Sequence, residues 1–334
     1  MNDPAPLAPK PTIKWQAIKA FVDGVITYPT LTAAMVDPYW LPGPTPNDPW
    51  APNGTFTVEP YWNPDFLTKA LELLFLAGVD VQLHTDGDLA VKTALDAAAA
   101  FKGKYPGKEF RLGLAHDEVT LESNWARFAQ LGVDAIMSYP WAQLSSFYLP
   151  DTPPPDRKGR IIYGSDWPID PLDEFLALKV AVTRSGDPAN PNSPASFGPP
   201  LDGPFPGAGA GGLTREQAIR SITINAARFL RADDKIGSLE TGKLADFVVL
   251  ENDFFEVPDA ELGRNRVLVT VVGGEPVFVA DDAADFVQLG GLAAKFPNHS
   301  GDQLNKRLAE KNILSEGVQA RMNPRRGRCI HHRH

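Results

Sequence analysis

Cysteine is almost absent from this sequence. The 334 residues contain one, Cys329, so no internal disulfide can form and disulfide-stapled folds are excluded. Long apolar runs are also missing, since none reaches the roughly 18 residues of a transmembrane helix. The opening residues 1–6 have neither the basic nor the apolar segment of a signal peptide. Together these absences predict a cytoplasmic protein without a membrane partner.

Positive charge is in short supply as well. Lysine and arginine number 32 against 41 acidic residues, which gives a formal net charge of −9. This balance argues against nucleic acid or an anionic membrane surface as a partner. The hydrophobic content of 43% and charged content of 22% are typical of a globular protein with a large core. The expected partner is therefore a small molecule.

The first two thirds of the chain alternate between strand and helix patterns, which predicts parallel strands joined by crossover helices. Apolar runs predict strands over 15–22, 78–83, 109–115, 135–138 and 161–164. Helical spacing of apolar residues predicts helices over 65–76, 89–101, 118–131, 173–183 and 214–230.

The pattern changes after Asp234, where three β-rich runs suggest a small antiparallel sheet. They cover 245–250, 266–272 and 276–279, and Gly273-Gly274 between the last two predicts a hairpin turn. The predicted domains are a barrel domain over 1–232, a small β-sandwich part over 233–282, and a helical extension with a basic tail over 283–334.

Three polar residues follow predicted strands directly. His84 and His116 end two successive strands, and Asp166 comes just after a later one. The carboxyl ends of parallel strands carry the catalytic groups of α/β barrels. Two neutral imidazoles and a carboxylate there suit a divalent ion such as Zn²⁺ and hydrolysis. The alternative is that each histidine fills the rim of a barrel and that Asp166 caps a helix.

Lys19 lies within the apolar run Ile18-Lys19-Ala20-Phe21-Val22. Burial of its amine would lower the pKa, and a neutral amine can react with CO₂ to form a carbamate. The alternative is a lysine that extends from a barrel rim into water.

Several ordered motifs resemble those of metal-dependent amidohydrolases of the amidohydrolase-3 type, the group that contains N-substituted formamide deformylases and related imidases. The resemblance runs through most of residues 15–280, and residues 236–250 are its most specific part. The other matching segments are 18–24, 32–34, 38–39, 84–91, 115–116, 127–133, 164–168, 181–184 and 223–227.

The resemblance implies an α/β fold, a (β/α)₈ barrel with one or two divalent metal ions, in the first place zinc, at its C-terminal mouth. By motif position, Lys19 matches a lysine that is carbamylated in many members, and His84 and His116 match the histidines of the next two strands. Asp166 matches the aspartate of the last strand. In a binuclear site of this kind the carbamate bridges the metals, the histidines hold one of them, and Asp166 lies on the other.

The implied activity is hydrolysis of a carbon–nitrogen bond other than a peptide bond, in an amide or formamide, by a metal-activated water. Asp166 would accept a proton from the water and pass it to the departing amine. Trp141 and Trp167 are candidates for the apolar wall of the substrate pocket, with core packing as the alternative.

One part of the family pattern is missing, because no His-x-His pair and no β-sandwich strands precede Lys19. We therefore expect an N-terminally truncated barrel with strands four to eight and a remnant of the sandwich. Its open edges beside Ile18 and Ile162 would invite a homo-oligomer or a complementing chain. The competing hypotheses are a non-catalytic homologue, one part of a split enzyme, or a decarboxylase or isomerase on the same fold.

Overall fold

The computed structural model describes residues 16–27, 30–41, 51–52, 54–142, 160–170, 172–193 and 212–283. The strands are β1 (Ala17–Phe21), β2 (Trp40–Leu41), β3 (Ala51–Pro52), β4 (Asp80–Thr85), β5 (Leu112–His116), β6 (Asp134–Met137), β7 (Arg160–Tyr163), β8 (Phe247–Leu250), β9 (Val267–Val272) and β10 (Glu275–Val279). A five-stranded parallel sheet with the order β1-β4-β5-β6-β7 dominates this part of the chain.

The parallel sheet confirms the predicted α/β class and the five predicted strands. Within the described residues it is open, with β1 and β7 as its edges. Ile18 on β1 is 45% exposed, whereas Ile162 on β7 is buried. The predicted edges beside Ile18 and Ile162 are thus both edges of the sheet in the described part of the chain, although the Ile162 side chain packs against Ile136 and Phe229.

Six helices connect and flank these strands, and none of the described helices is long and apolar enough to cross a membrane. They are α1 (Pro64–Leu76), α2 (Asp88–Lys104), α3 (Glu122–Leu131), α4 (Glu174–Thr183), α5 (Arg215–Ile222) and α6 (Ile224–Phe229). The single helix predicted over 214–230 is divided at Thr223, whose backbone leaves the helical region at φ −117° and ψ −99°. The Thr223 hydroxyl donates to the Ile219 carbonyl at 2.6 Å, a side-chain bond of the kind that competes with helix continuation.

The main core lies between the parallel sheet and the first two helices. Leu67 and Leu71 on α1 are four residues apart, so they share one helix face, and both are almost fully buried. The alanine-rich α2 presents small side chains and Leu95 to the same core. Burying one leucine contributes about 1.5–3 kcal/mol, so this layer holds β4 and β5 firmly in register. Both strands end at the candidate site.

The described residues fall into two compact units. The first contains the parallel sheet and its helices and comprises positions up to 238 together with 253–265. The second contains β8, β9 and β10 in an antiparallel sheet with the order β10-β9-β8. Gly273 and Gly274 have φ values of 61° and 85°, the left-handed backbone that a tight hairpin turn requires, which confirms the predicted turn. The predicted helical extension and basic tail over 283–334 lie, apart from their first residue, outside the described residues.

A partly buried ion pair joins the start of β4 to the segment after α6. Arg231 donates from Nε and Nη2 to the two carboxylate oxygens of Asp80 at 2.8 and 2.7 Å. The Asp80 side chain is 2% exposed, whereas that of Arg231 is 37% exposed. The carboxylate therefore depends on the guanidinium for its charge balance.

We expect Arg231→Met to lower the free energy of unfolding by about 2–3 kcal/mol. This is less than the ~3–5 kcal/mol for breaking a wholly buried pair, because Arg231 is partly in water. Arg228→Met is the matched control, since Arg228 lies 3.9 Å from Asp233 with both side chains more than 40% exposed. Urea unfolding of both variants measures the difference, and equal losses would contradict this account of Asp80.

Candidate metal centre

Two histidines meet at the carboxyl ends of β4 and β5. The two strands are neighbours, and their register pairs Thr85 with His116, which places His84 beside the end of β5. The ring centroids of His84 and His116 are 4.5 Å apart. With Asp86, which follows β4, each offers a ligand atom, and these atoms all lie within 4.8 Å of one another. All three residues are buried.

Both imidazoles are held in the neutral form that binds metals. Nε2 of His84 donates to the Gly24 carbonyl at 2.7 Å, which leaves Nδ1 as the unprotonated nitrogen of a neutral ring. Burial lowers the pKa of His84. Burial, with smaller contributions from the neighbouring His84 and Lys19, lowers the pKa of His116 to about 3. Nδ1 of His116 is buried without a hydrogen-bond partner among the described residues. His116 can therefore ligate a cation through Nδ1 without first losing a proton, whereas Nε2 of His84, 3.8 Å from Asp86 Oδ1, would have to give up its bond to Gly24.

Asp86 completes a donor set that fits a divalent cation. Its Oδ1 is buried and has no hydrogen-bond partner in the described part of the chain. Burial raises the pKa of Asp86, and repulsion from Glu118, Asp23 and Asp117 adds to this. A divalent ion would supply the partner that Oδ1 lacks and offset the crowding of these acids. Two imidazoles and a carboxylate are ligands that Zn²⁺ accepts.

Asp23, just beyond β1, organises the turn that carries Asp86. Its Oδ2 accepts from the backbone N–H groups of Ala34 and Gly87 at 2.9 and 2.8 Å, and its Oδ1 accepts from that of Asp86 at 3.0 Å. Burial raises its pKa to about 6 even though these three bonds act in the opposite direction. Glycine is required at position 87, because a Cβ there would lie 2.0 Å from the Ala34 carbonyl oxygen.

Asp23 and Asp86 were missed by the sequence analysis. The available signal was the spacing His84-x-Asp86 at a strand end, which places a carboxylate two residues after the imidazole. Asp23 stands at the equivalent position after β1. A search for every acidic residue at a predicted strand end would have found both.

Lys19 and Asp166 form an ion pair at the same end of the sheet, with Nζ and Oδ1 3.8 Å apart. Of the two alternatives for Lys19, the structure favours the lysine that extends toward water, because its side chain is 34% exposed and its Nζ lies over the Phe21 ring. β1 is an edge strand, which explains why its side chains reach water. Both charges act on the pKa of His84, so the four predicted ligands share one neighbourhood.

Asp166 does not cap a helix. The next helix, α4, begins at Glu174, and its N-cap is Asp173, whose carboxylate accepts from Leu176 N–H at 3.1 Å. The alternative explanation of Asp166 as a cap is therefore wrong. Its backbone is instead in the left-handed region at φ 54°, as is that of His116 at φ 84°. Such strained non-glycine conformations concentrate at functional sites.

The two predicted substrate-binding tryptophans have different surroundings. The Trp141 ring stacks on His116 with centroids 4.7 Å apart and an angle of 11° between the planes. A hydrogen bond from Trp141 to Asp170 holds the indole in place. Trp167 follows Asp166 and is 53% exposed. Trp141 therefore forms a wall of the candidate site, whereas Trp167 is an exposed neighbour of Asp166 in the chain.

Curated relatives match much of this chain. It is 28% identical to the protein YtcJ of Bacillus subtilis over 283 residues, which is 80% of this chain and 48% of that protein. It is 24% identical to N-substituted formamide deformylase of Arthrobacter pascens over 214 residues, or 59% of this chain and 36% of the deformylase. The chain thus spans about half or less of the length of these relatives.

The fold has a counterpart among solved structures, an uncharacterised metal-dependent hydrolase of Pyrococcus horikoshii. The TM-score is 0.54 at 22% identity, over 73% of this chain and 46% of that one. The model of the amidohydrolase family matches residues 6–278. This match covers most of the sequence and includes every candidate ligand, and it confirms the resemblance seen in the motifs. The chain belongs to the amidohydrolase family.

Proposed function

We propose that this protein is a zinc-dependent hydrolase of carbon–nitrogen bonds other than peptide bonds, in a small amide or formamide. The observation that carries the proposal is the buried group His84, Asp86 and His116, in which His116 Nδ1 and Asp86 Oδ1 have no partner among the described residues. The named activity of the deformylase relative supports the substrate class. Since the relatives are about twice as long or more, the activity of the isolated chain is part of the proposal.

Different residues are assigned to metal binding, proton transfer and substrate binding. His84, His116 and Asp86 would hold a divalent ion, which when bound would supply a Lewis acid for the carbonyl and an activated water. Asp166 accepts the proton that this water loses and passes it to the nitrogen of the departing amine. Trp141 offers an apolar face to the acyl or amine substituent.

Lys19 has two states in this proposal. As an ammonium it attracts Asp166 and orients its carboxylate at the strand end. Reaction of the neutral amine with CO₂ forms an N–C bond, releases one proton and replaces the cation by a carbamate anion. That anion would repel Asp166 unless a second cation lies between them. Carbamylation of Lys19 therefore belongs with a two-metal site, and the unmodified lysine belongs with one metal.

A second candidate function is that of one part of a split hydrolase. It is favoured by the open edge of the sheet at β1, where Ile18 and Phe21 are 45% and 52% exposed. A complementing chain or a second copy could add strands there and extend the sheet toward a closed barrel. In that case this chain alone binds metal and does not turn over substrate.

The test is amine release from an N-substituted formamide by the purified full chain, stripped of metal and then reloaded with Zn²⁺. We expect release only after reloading, and none from a dipeptide of similar size. Mass spectrometry of the same sample identifies one added CO₂ on Lys19. Equal rates with and without Zn²⁺ would overturn the zinc mechanism. Tight zinc binding without turnover would favour the split enzyme.

A further inference from the structure

A cleft with an unusual number of cations lies at the other end of the parallel sheet. Its volume is about 420 Å³, and the cationic residues in its lining are Lys102, Lys108, Arg111, Arg160 and Arg228. Arg160 is the first residue of β7, and Arg111 comes directly before β5. The cleft therefore opens at the amino ends of the strands, whereas the histidines lie at their carboxyl ends. Its lining shares no residue with the candidate metal centre.

The charges around this cleft do not cancel. Two acids, Glu109 and Asp233, are part of the lining, and Asp134 behind it accepts a hydrogen bond from Arg160. Five cations against these three carboxylates leave an excess of two positive charges, in a protein whose formal net charge is −9. Such an excess in a concave site raises the local concentration of anions.

Three of the cations have no acidic partner of their own. Among ion pairs between described residues, Arg160 pairs with Asp134 and Arg228 with Asp233, whereas Lys102, Lys108 and Arg111 take part in none. Lys102 donates to the Gln130 carbonyl at 2.6 Å, which leaves Lys108 and Arg111. Lys108 is exposed, and Arg111 is half-buried. Their nitrogen donors are therefore available to an anion inside the cleft.

One wall of the cleft is apolar. Phe110 and Leu131 are half-buried members of the lining. Phe110 is held in place by Phe75 and Phe101, with ring centroids at 4.8 and 5.4 Å. The volume falls within the ~300–1,000 Å³ of ordinary small-molecule sites. An inorganic anion would fill only part of this volume and would not contact the apolar wall.

We propose that this cleft binds a small organic phosphate monoester. A monoester carries about −1.5 to −2 charges at pH 7, which matches the excess of two positive charges. The Arg111 guanidinium can donate two parallel hydrogen bonds to phosphate oxygens, and Lys108 adds a point charge. The organic group lies against Phe110 and Leu131. The site is independent of the hydrolytic centre and assigns the protein a second ligand class.

Calorimetric titration of the full chain at low ionic strength tests this proposal with three probes: phenyl phosphate, inorganic phosphate and benzenesulfonate. We expect phenyl phosphate to bind most tightly, because it alone combines a dianion with an apolar ring. Binding should weaken as salt is added. Absence of phenyl phosphate binding at millimolar concentration, or equal affinity for the three probes, would overturn the proposal.

Variants locate the binding in the cleft. Lys108→Gln and Arg111→Gln should each weaken phenyl phosphate binding about tenfold, the loss expected for one charge-assisted hydrogen bond. Lys92→Gln is the control, because this exposed lysine on α2 pairs with Asp96 outside the cleft and should leave the affinity unchanged. Lys108 is exposed, so its variant remains informative if Arg111→Gln disturbs folding. Unchanged affinity in Lys108→Gln would place the ligand elsewhere and refute the assignment.

Discussion

Replacement of His116 by Asn is expected to lower zinc affinity by at least about 100-fold. The loss should exceed the ~10–100-fold that follows removal of a supporting residue, since His116 is assigned as a direct ligand. The fold should tolerate the change. Nδ1 of His116 has no hydrogen-bond partner among the described residues, so its removal leaves no protein group unpaired. Equilibrium competition against a chromophoric zinc chelator measures the affinity.

The matched control for this variant is Trp141→Phe. Phenylalanine keeps an aromatic ring against His116 but removes the hydrogen bond to Asp170. Zinc affinity should change by less than the ~10–100-fold effect of a supporting residue, because no ligand atom is lost. Wild-type zinc affinity in His116→Asn, with circular dichroism unchanged, would remove His116 from the site. An equal loss in both variants would show that packing, and not ligation, controls binding.

The position of the site could be predicted from sequence because strand ends are visible there. The apolar runs before His84 and His116 stop at polar residues, and parallel strands bring their carboxyl ends to one edge. Hydrophobic periodicity alone therefore indicates which side chains become neighbours. Asp166 was found by the same reasoning, although the strand before it has only four residues.

The remaining parts depend on contacts that no local pattern records. Asp23 organises the site only because two later segments of the chain place the N–H groups of Ala34 and Gly87 against its carboxylate. The two alternatives for Lys19, a buried amine and a side chain that reaches water, could not be separated from its apolar run, because the exposure depends on the position of β1 at the edge of the sheet. The break at Thr223 follows from a side-chain bond that helix propensity does not include.

Asp166→Asn is expected to separate metal binding from catalysis. Asparagine keeps the size of the side chain and its hydrogen-bonding oxygen but cannot take up the proton that the attacking water loses. Hydrolysis of the N-substituted formamide should therefore fall by about 10²–10⁴-fold, the usual contribution of a positioned acid–base group. Zinc affinity should stay within about tenfold of that of the wild-type protein, because His84, Asp86 and His116 are unchanged. Turnover number and zinc content of the same preparation give both values.

Asp173→Asn is the matched control, since it makes the same chemical change seven residues later in the chain. Asp173 caps α4 through its carboxylate, and asparagine caps nearly as well, so activity should stay close to wild type. If Asp166→Asn retains full activity, the proton must pass through another group, and Asp166 has no catalytic role. If it loses zinc in proportion to activity, Asp166 acts as an indispensable ligand of the metal that drives the reaction. Only the loss of turnover at full zinc occupancy supports the role in proton transfer, because that step alone requires a carboxylate at this position and not merely an oxygen.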